Sequence, residues 1–255
     1  MKSRERVKKV LSHQVVDRIP VDLGSTRTTG ITAIAYNKLV KKSGLDLELP
    51  KMYDIVQQLV YPQKEIMDMF SVDFIDAGQA FYNSDIFWKQ FNLRDGSKCR
   101  VPSWLNIVEE KDKTVKVVND ERTVLGIMPP SSFYIDQSFW VYGKLDKIPE
   151  NINKNDLKKD VWTYAAPPPG NINLFDDAQC LEFQENIKRI YEETDYAIVL
   201  RFGGNLVESG FSIRGMENYF CDLYLDESGV NRFLDVLMEE VGVFFIYIKK
   251  SFFLV

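Results

Sequence analysis

Three times along this chain a short apolar run stops at glycine. The runs are Arg18-Ile-Pro-Val-Asp-Leu-Gly24, Val72-Asp-Phe-Ile-Asp-Ala-Gly78, and Tyr196-Ala-Ile-Val-Leu-Arg-Phe202, which leads into Gly203-Gly204. Runs of this length with little polar alternation suit strands buried on both faces, as in a parallel sheet. The intervening stretches carry helical spacing. Val7, Val10 and Leu11 follow Ser3, a candidate N-cap, and Ile31, Ile34, Ala35, Leu39 and Val40 lead to a stop at Gly44. A helix over 55–70 is expected to kink or split at Pro62, and further helices are expected over about 176–194, 215–225 and 228–250. Alternating β and α elements predict an α/β fold.

The middle of the chain breaks this rhythm. Short β-like runs at 86–91, 98–101, 114–118 and 123–127 are separated by Asp95-Gly96, a Lys/Glu-rich stretch and Asn119-Asp120. They predict a small antiparallel β insertion over 86–127 within a single domain spanning 1–255. Pro129-Pro130 and Pro167-Pro168-Pro169-Gly170 mark irregular connections.

Composition narrows the class. With 45% apolar and 27% charged residues the chain matches a globular domain with a sizeable core. Cys99, Cys180 and Cys221 form no close pair and His13 is the only histidine, so neither a disulfide framework nor a zinc knuckle is expected. All three thiols are read as core residues, and a reducing, cytoplasmic location fits. No run of about 18 apolar residues offers a membrane span. A net charge of -5 disfavours a nucleic-acid partner. Arg4, Arg6, Lys8 and Lys9 are read as a solvated helix face, and His13 as a structural residue at the helix end.

A closed (β/α)8 barrel needs eight parallel strands, and only three candidates are present. The apolar ending Ser251-Phe-Phe-Leu-Val255 also suggests that another element follows. The segment Ser3-Arg-Glu-Arg-Val-Lys-Lys-Val-Leu-Ser-His-Gln-Val-Val-Asp-Arg-Ile-Pro-Val-Asp-Leu-Gly24 resembles the N-terminal signature of the uroporphyrinogen decarboxylase superfamily. Thr29-Gly-Ile, Ala35-Tyr36, the 72–78 run and Ile213-Arg-Gly-Met-Glu-Asn-Tyr-Phe-Cys-Asp-Leu223 are similar to segments of its methyltransferase-like branch. The resemblance spans about residues 3–248 and implies a TIM-type (β/α)8 barrel, of which this chain is expected to be the N-terminal two-thirds. It implies an enzyme that moves a methyl group between a corrinoid and a thiol or folate, partnered by a corrinoid-binding protein. The alternatives are a uroporphyrinogen decarboxylase taking a tetrapyrrole, or a truncated binding protein without turnover. Superfamily methyltransferases hold zinc through His-x-Cys and a distant Cys. No His-x-Cys occurs here, so no metal or cofactor is expected within this chain. The decarboxylases carry a two-arginine loop after the first strand, whereas Gly24-Ser-Thr-Arg-Thr-Thr-Gly30 has one arginine.

Barrel enzymes keep their chemistry at the carboxyl ends of strands. After the first run, Asp22, Ser25, Thr26 and Arg27 form a candidate substrate-binding loop. Either it takes an anionic ligand group, or Ser25, Thr28 or Thr29 merely caps the next helix. Asp76 ends the second run near the place of the decarboxylases' catalytic aspartate. Either it acts on a cationic intermediate or a ligand nitrogen, or it receives a loop hydrogen bond. Asp73, in mid-run, is read as structural. Arg201 after the third run is the other catalytic candidate, or else a structural bridge to Asp76 or Asp22. Gly203 and Gly204 permit close backbone approach, and Asn205 and Glu208 are expected at the mouth. Arg214 and Glu217 are read as a local ion pair or a loop anchor. Trp88, Phe91, Trp104 and Trp140 either pack around the insertion or form a lid over a flat cofactor. An unclosed parallel sheet would also leave bare edges, which makes self-association an expectation.

Overall fold

The computed structural model describes residues 1–81, 84–165, 177–200 and 205–251, with side chains except at 177–180 and 240–251. In chain order the elements are α1 (Ser3–Leu11), β1 (Ile31–Thr32), α2 (Ala33–Ser43), β2 (Met52–Asp54), β3 (Leu59–Val60), α3 (Lys64–Met69), β4 (Phe74–Asp76), β5 (Trp88–Asn92), β6 (Lys98–Pro102), β7 (Asn106–Glu109) and β8 (Val115–Val118). There follow β9 (Val124–Met128), β10 (Asp136–Gln137), α4 (Val161–Tyr164), α5 (Asp177–Glu193), β11 (Ala197–Val199), α6 (Leu206–Arg214), α7 (Met216–Leu225) and α8 (Glu227–Ser251). The fold is mixed α/β. Its described strands form small sheets, none of which closes into a barrel. The chain divides into two compact units: Met1–Trp104 with Ala178–Arg201, and Leu105–Asp177 with Phe202–Val255.

In the first unit β4 and β11 pair in parallel, with Ile75 opposite Ile198. Both strands come from runs read as parallel strands. The first such run, 18–24, forms no ladder of its own, because Pro20 lacks an N–H and side chains replace the missing bonds. The Asp73 N–H donates to the Val21 carbonyl, and the Ala197 N–H donates to the Asp73 carbonyl. The extended segment near Val21, β4 and β11 therefore lie side by side. The Asp73 carboxylate, fully buried, accepts from the Val21 N–H at 2.8 Å, from Arg6 Nη1 at 2.6 Å and from Arg18 Nη1 at 2.5 Å. Arg6 is itself buried and also grips Asp17 through Nε and Nη2. Asp73 is thus structural, as its mid-run position suggests, and Arg6, read as part of a solvated basic face, is instead buried in this network, with partly exposed Arg18 reaching into it. Met67, Val72 and Ile75 form the apolar layer beside it, with Leu23, Ile190, Tyr196 and Ile198 packed against them.

Other expectations shift locally. Ser3 lies in the first turn of α1, and the cap position falls to Lys2. Helix α2 ends at Gly44 in a left-handed conformation (φ +72°), as the Gly stop implies. Of the helix expected over 55–70, with a kink or split at Pro62, the part before Pro62 is a turn and β3, and the part after it is the short α3. Asp54 Oδ1 does accept from the Gln57 N–H, as a helix cap would, but Gln58 turns to φ +57° and the chain folds back. The result is an antiparallel sheet in the order β1-β3-β2. Beside it β5 and β6 form a hairpin whose Leu93 and Ser97 close a turn through Gly96 at φ +83°.

The second unit holds the antiparallel sheet β10-β9-β8-β7 and the helices α4, α6, α7 and α8. Helix α6 begins at Leu206, inside a stretch expected to be loop. Gly215, at φ +87°, turns the chain from α6 into α7. Arg214 is 3% exposed. It donates from Nε to Asp222 at 2.6 Å and from its Nη groups to the carbonyls of Tyr142, Leu145 and Asp146. It is therefore a loop anchor, and its acidic partner is Asp222 rather than Glu217. Tyr142, Ile148, Ile213, Tyr219 and Phe233 form the core of this unit.

These contacts set two expected stability effects. Burial pushes the Asp73 carboxyl up, but the bonds from Arg18, Val21, Ser3 and Arg6 outweigh it and hold the group below the usual carboxylate range. Its contribution is then fully present above its unfolded value of about 4 and drains away as pH falls through the lower folded value. Urea titrations should show Asp73→Asn much less stable than wild type at pH 7, with the gap narrowing below about pH 4. A gap independent of pH would contradict this assignment. Separately, a Cβ on Gly210 would lie 2.4 Å from Tyr219 Cζ, so Gly210→Ala should cost about 1–3 kcal/mol in the same titration.

Candidate functional site

The loop after the first run is tied around Asp22. Its carboxylate accepts from the Ser25 N–H at 3.1 Å, Ser25 Oγ at 2.6 Å and Thr29 Oγ1 at 3.0 Å. Gly24 takes φ +85° and its N–H donates to the Thr29 carbonyl, and a Cβ there would meet Pro62 at 2.7 Å. Arg27–Thr29 then forms a single 3₁₀ turn. The Asp22 carboxylate is engaged in holding the loop, and Ser25 is buried with it. The side chains turned toward solvent are partly exposed Thr26, exposed Thr28, whose hydroxyls lie 2.8 Å apart, and Arg27.

Arg27 is aimed by a residue that the sequence did not mark. Asp54, 1% exposed at the end of β2, pairs with Arg27 Nε at 2.7 Å and accepts from the Gln57 N–H at 2.9 Å. The Tyr53 hydroxyl donates to the Thr26 carbonyl at 3.3 Å, and its ring stacks on Tyr61 with centroids 4.5 Å apart. Leu59 and Trp88 complete this apolar support, so Trp88 packs as a core residue.

Tyr61 links the loop to Asp76. A Cβ added to Gly78 would lie 2.9 Å from the Tyr61 hydroxyl and 3.1 Å from Asp76 Oδ1, so the phenol and the carboxylate flank the same small space. Asp76 is 1% exposed and accepts from the Gly78 N–H at 2.8 Å. It therefore makes the loop hydrogen bond that the sequence left as one of its two roles. Asp22, Ser25, Thr26, Arg27 and Asp76 thus share one unit and one chain of contacts through Tyr53 and Tyr61. Asn205, exposed before α6, and Glu208, exposed in its first turn, belong to the second unit. Arg201, Gly203 and Gly204 lie outside the described residues.

The missed residues left a faint signal. Met52-Tyr-Asp54 is too short to stand out as a strand, and Asp54 followed by Gln57 looks like the start of a helix. Cys99 is buried, and burial pushes its thiol up to about 12. Cys221 is exposed, contrary to its reading as a core thiol, because α7 turns that face outward. The side chain of Cys180 lies outside the described set. Among the described residues no three His, Cys, Asp or Glu side chains group as a metal site, and no helix is long and apolar enough to cross a membrane. No protein-family profile, curated protein or solved structure matches the chain.

The site geometry predicts two phenotypes. Asp54→Ala strands Arg27, which is 29% exposed, and should cost about 1–3 kcal/mol in urea unfolding, less than a fully buried pair would. Gly78→Ala forces Tyr61 or Asp76 to move, so near-UV circular dichroism from the Tyr53–Tyr61 stack should change while the far-UV spectrum holds.

Proposed function

We propose that the chain is part of a (β/α)8 barrel of the uroporphyrinogen decarboxylase superfamily, in its corrinoid-linked methyltransferase branch, acting in the cytoplasm with a corrinoid-binding protein. One observation carries this reading. Asp76 ends a strand paired in parallel with β11, and the Asp22–Thr29 loop follows the segment hydrogen-bonded to the same strand, as a barrel's reactive rim requires.

In this scheme Arg27, set by Asp54, faces an anionic group of the ligand, and the Thr26 and Thr28 hydroxyls supply further hydrogen bonds. Asp76 offers a buried carboxylate beside the Tyr61 phenol, a pair suited to holding a proton at a ligand nitrogen. The corrinoid, when bound, supplies the methyl-bearing cobalt, and the acceptor is a thiol sulfur or a folate nitrogen. Decarboxylation of a tetrapyrrole is the second reading, supported by the strand-end position of Asp76. It is weakened by a loop that holds one arginine where the decarboxylases carry two.

The test incubates the purified chain with methylcobalamin and either a thiol or tetrahydrofolate, following the corrinoid spectrum, with a parallel arm scoring uroporphyrinogen decarboxylation. Methylcobalamin should be consumed and the porphyrinogen left intact. Asp76→Asn should slow the reaction about 100-fold or more. Turnover in the porphyrinogen arm alone would transfer the assignment to the decarboxylase. Turnover in neither arm by a folded chain would leave the non-catalytic alternative standing.

A further inference from the structure

The α6–α7 face of the second unit is apolar where a surface helix is ordinarily polar. Met216, Phe220, Leu223 and Tyr224 recur at i, i+4, i+7 and i+8, so they form one stripe along α7. They are 56%, 54%, 47% and 88% exposed. The stripe continues onto α6, where Phe211 lies 5.1 Å from the Phe220 ring and Val207 is half exposed. Large contiguous apolar surface on a folded protein marks an interaction site.

The exposed charge on α6 and α7 themselves has one sign. From 202 to 231 the sequence contains a single lysine or arginine, Arg214, and that residue is buried against Asp222. The exposed charges on α6 and α7 are Glu208 and Glu217. An apolar stripe whose own two helices expose acids and no base favours an apolar, basic occupant, and α7 facing α7 of another copy would set acid against acid.

Such an occupant exists on the same chain. At the end of α1 and in the arm that follows, Leu11, Val15 and Ile19 are 76%, 93% and 83% exposed. Lys8 is exposed beside them and Lys9 is partly so. The nearby Asp17 is spent on Arg6 and Arg18 on Asp73, and Glu5 lies 3.4 Å from Lys9, so Lys8 and Lys9 outnumber the one acid left beside them and set the local sign.

We infer that two copies of the chain associate head to tail, the acidic, apolar α6–α7 face of one receiving the basic, apolar arm at residues 8–19 of the other. The two surfaces differ, so the contact is heterologous and repeats from copy to copy instead of closing as a two-fold dimer. It is independent of the catalytic proposal, since none of these residues belongs to the loop around Asp22 or to Asp76.

Sedimentation equilibrium at low salt tests it, using substitutions at surface positions whose folding is checked by far-UV circular dichroism. The wild-type mass should rise with concentration beyond that of one chain. Lys8→Glu/Lys9→Glu and, separately, Glu208→Lys/Glu217→Lys should each weaken association about tenfold or more, and mixing the two variants should restore it. With Val15→Cys, oxidation should join two chains through Cys221, and the product of doubled mass should vanish when Cys221→Ser is added. A wild-type chain that stays monomeric, charge variants that associate as wild type does, or a disulfide in the Val15→Cys variant that stays within one chain would each overturn the inference.

Discussion

One buried carboxylate organises the first unit. Asp73 has no access to water, and an isolated charge there would be prohibitively expensive, so the fold must bring cations to it. Arg6 arrives from α1, Arg18 from the arm, and the Val21 N–H from the segment alongside. The Asp73 main chain meanwhile bonds to both Val21 and Ala197. Removing the carboxylate takes one partner from each arginine, leaving Arg6 on Asp17 and partly exposed Arg18 on the Ile19 and Ser71 carbonyls, so the loss falls below the ~3–5 kcal/mol of a fully broken buried pair. Because Asp73 lies three residues before Asp76 and two after the left-handed Ser71, the same network sets where β4 ends and where the candidate site begins.

The candidate site itself is a set of acids with separate tasks. Asp22 ties a loop, Asp54 fixes Arg27, and Asp76 sits in a small space kept open by Gly78. The stacked tyrosines carry geometry from one to the next. The side chains that reach outward are Arg27 and the Thr26 and Thr28 hydroxyls, the polar groups that the proposed function assigns to an anionic ligand, while the acids hold the loops. The second unit repeats the principle in another form: Arg214, buried with Asp222, satisfies three carbonyls of the 142–146 loop and lets α6 and α7 pack over it.

What is legible in the sequence follows from the range of each signal. Helices α2, α5, α7 and α8 appear close to their expected bounds because 3.6-residue periodicity and a glycine stop are local properties. The antiparallel hairpins fall where turn residues such as Asp95-Gly96 place them. The 55–70 segment misleads because its apolar spacing fits a helix, and only the left-handed Gln58 and the pairing with β1 turn it into strands. Asp22, Ser25, Thr26, Arg27 and Asp76 stand out from their place at the ends of apolar runs, of which the second alone forms a strand ending at its acid. Asp54, Tyr53 and Tyr61 do not, since their contact with that loop spans some thirty residues of chain.

By itself the sequence determined the α/β alternation, the acid-and-glycine strand ends and the polar loop, all set by residues within one turn or one strand of each other. Tertiary structure alone decided which acid each arginine meets: Asp73 for Arg6 and Arg18, Asp54 for Arg27, Asp222 for Arg214. It also decided that the α7 stripe faces outward. Partner choice among charges and the facing of an apolar stripe depend on which segments the fold brings together and which it leaves uncovered, and no local pattern encodes that.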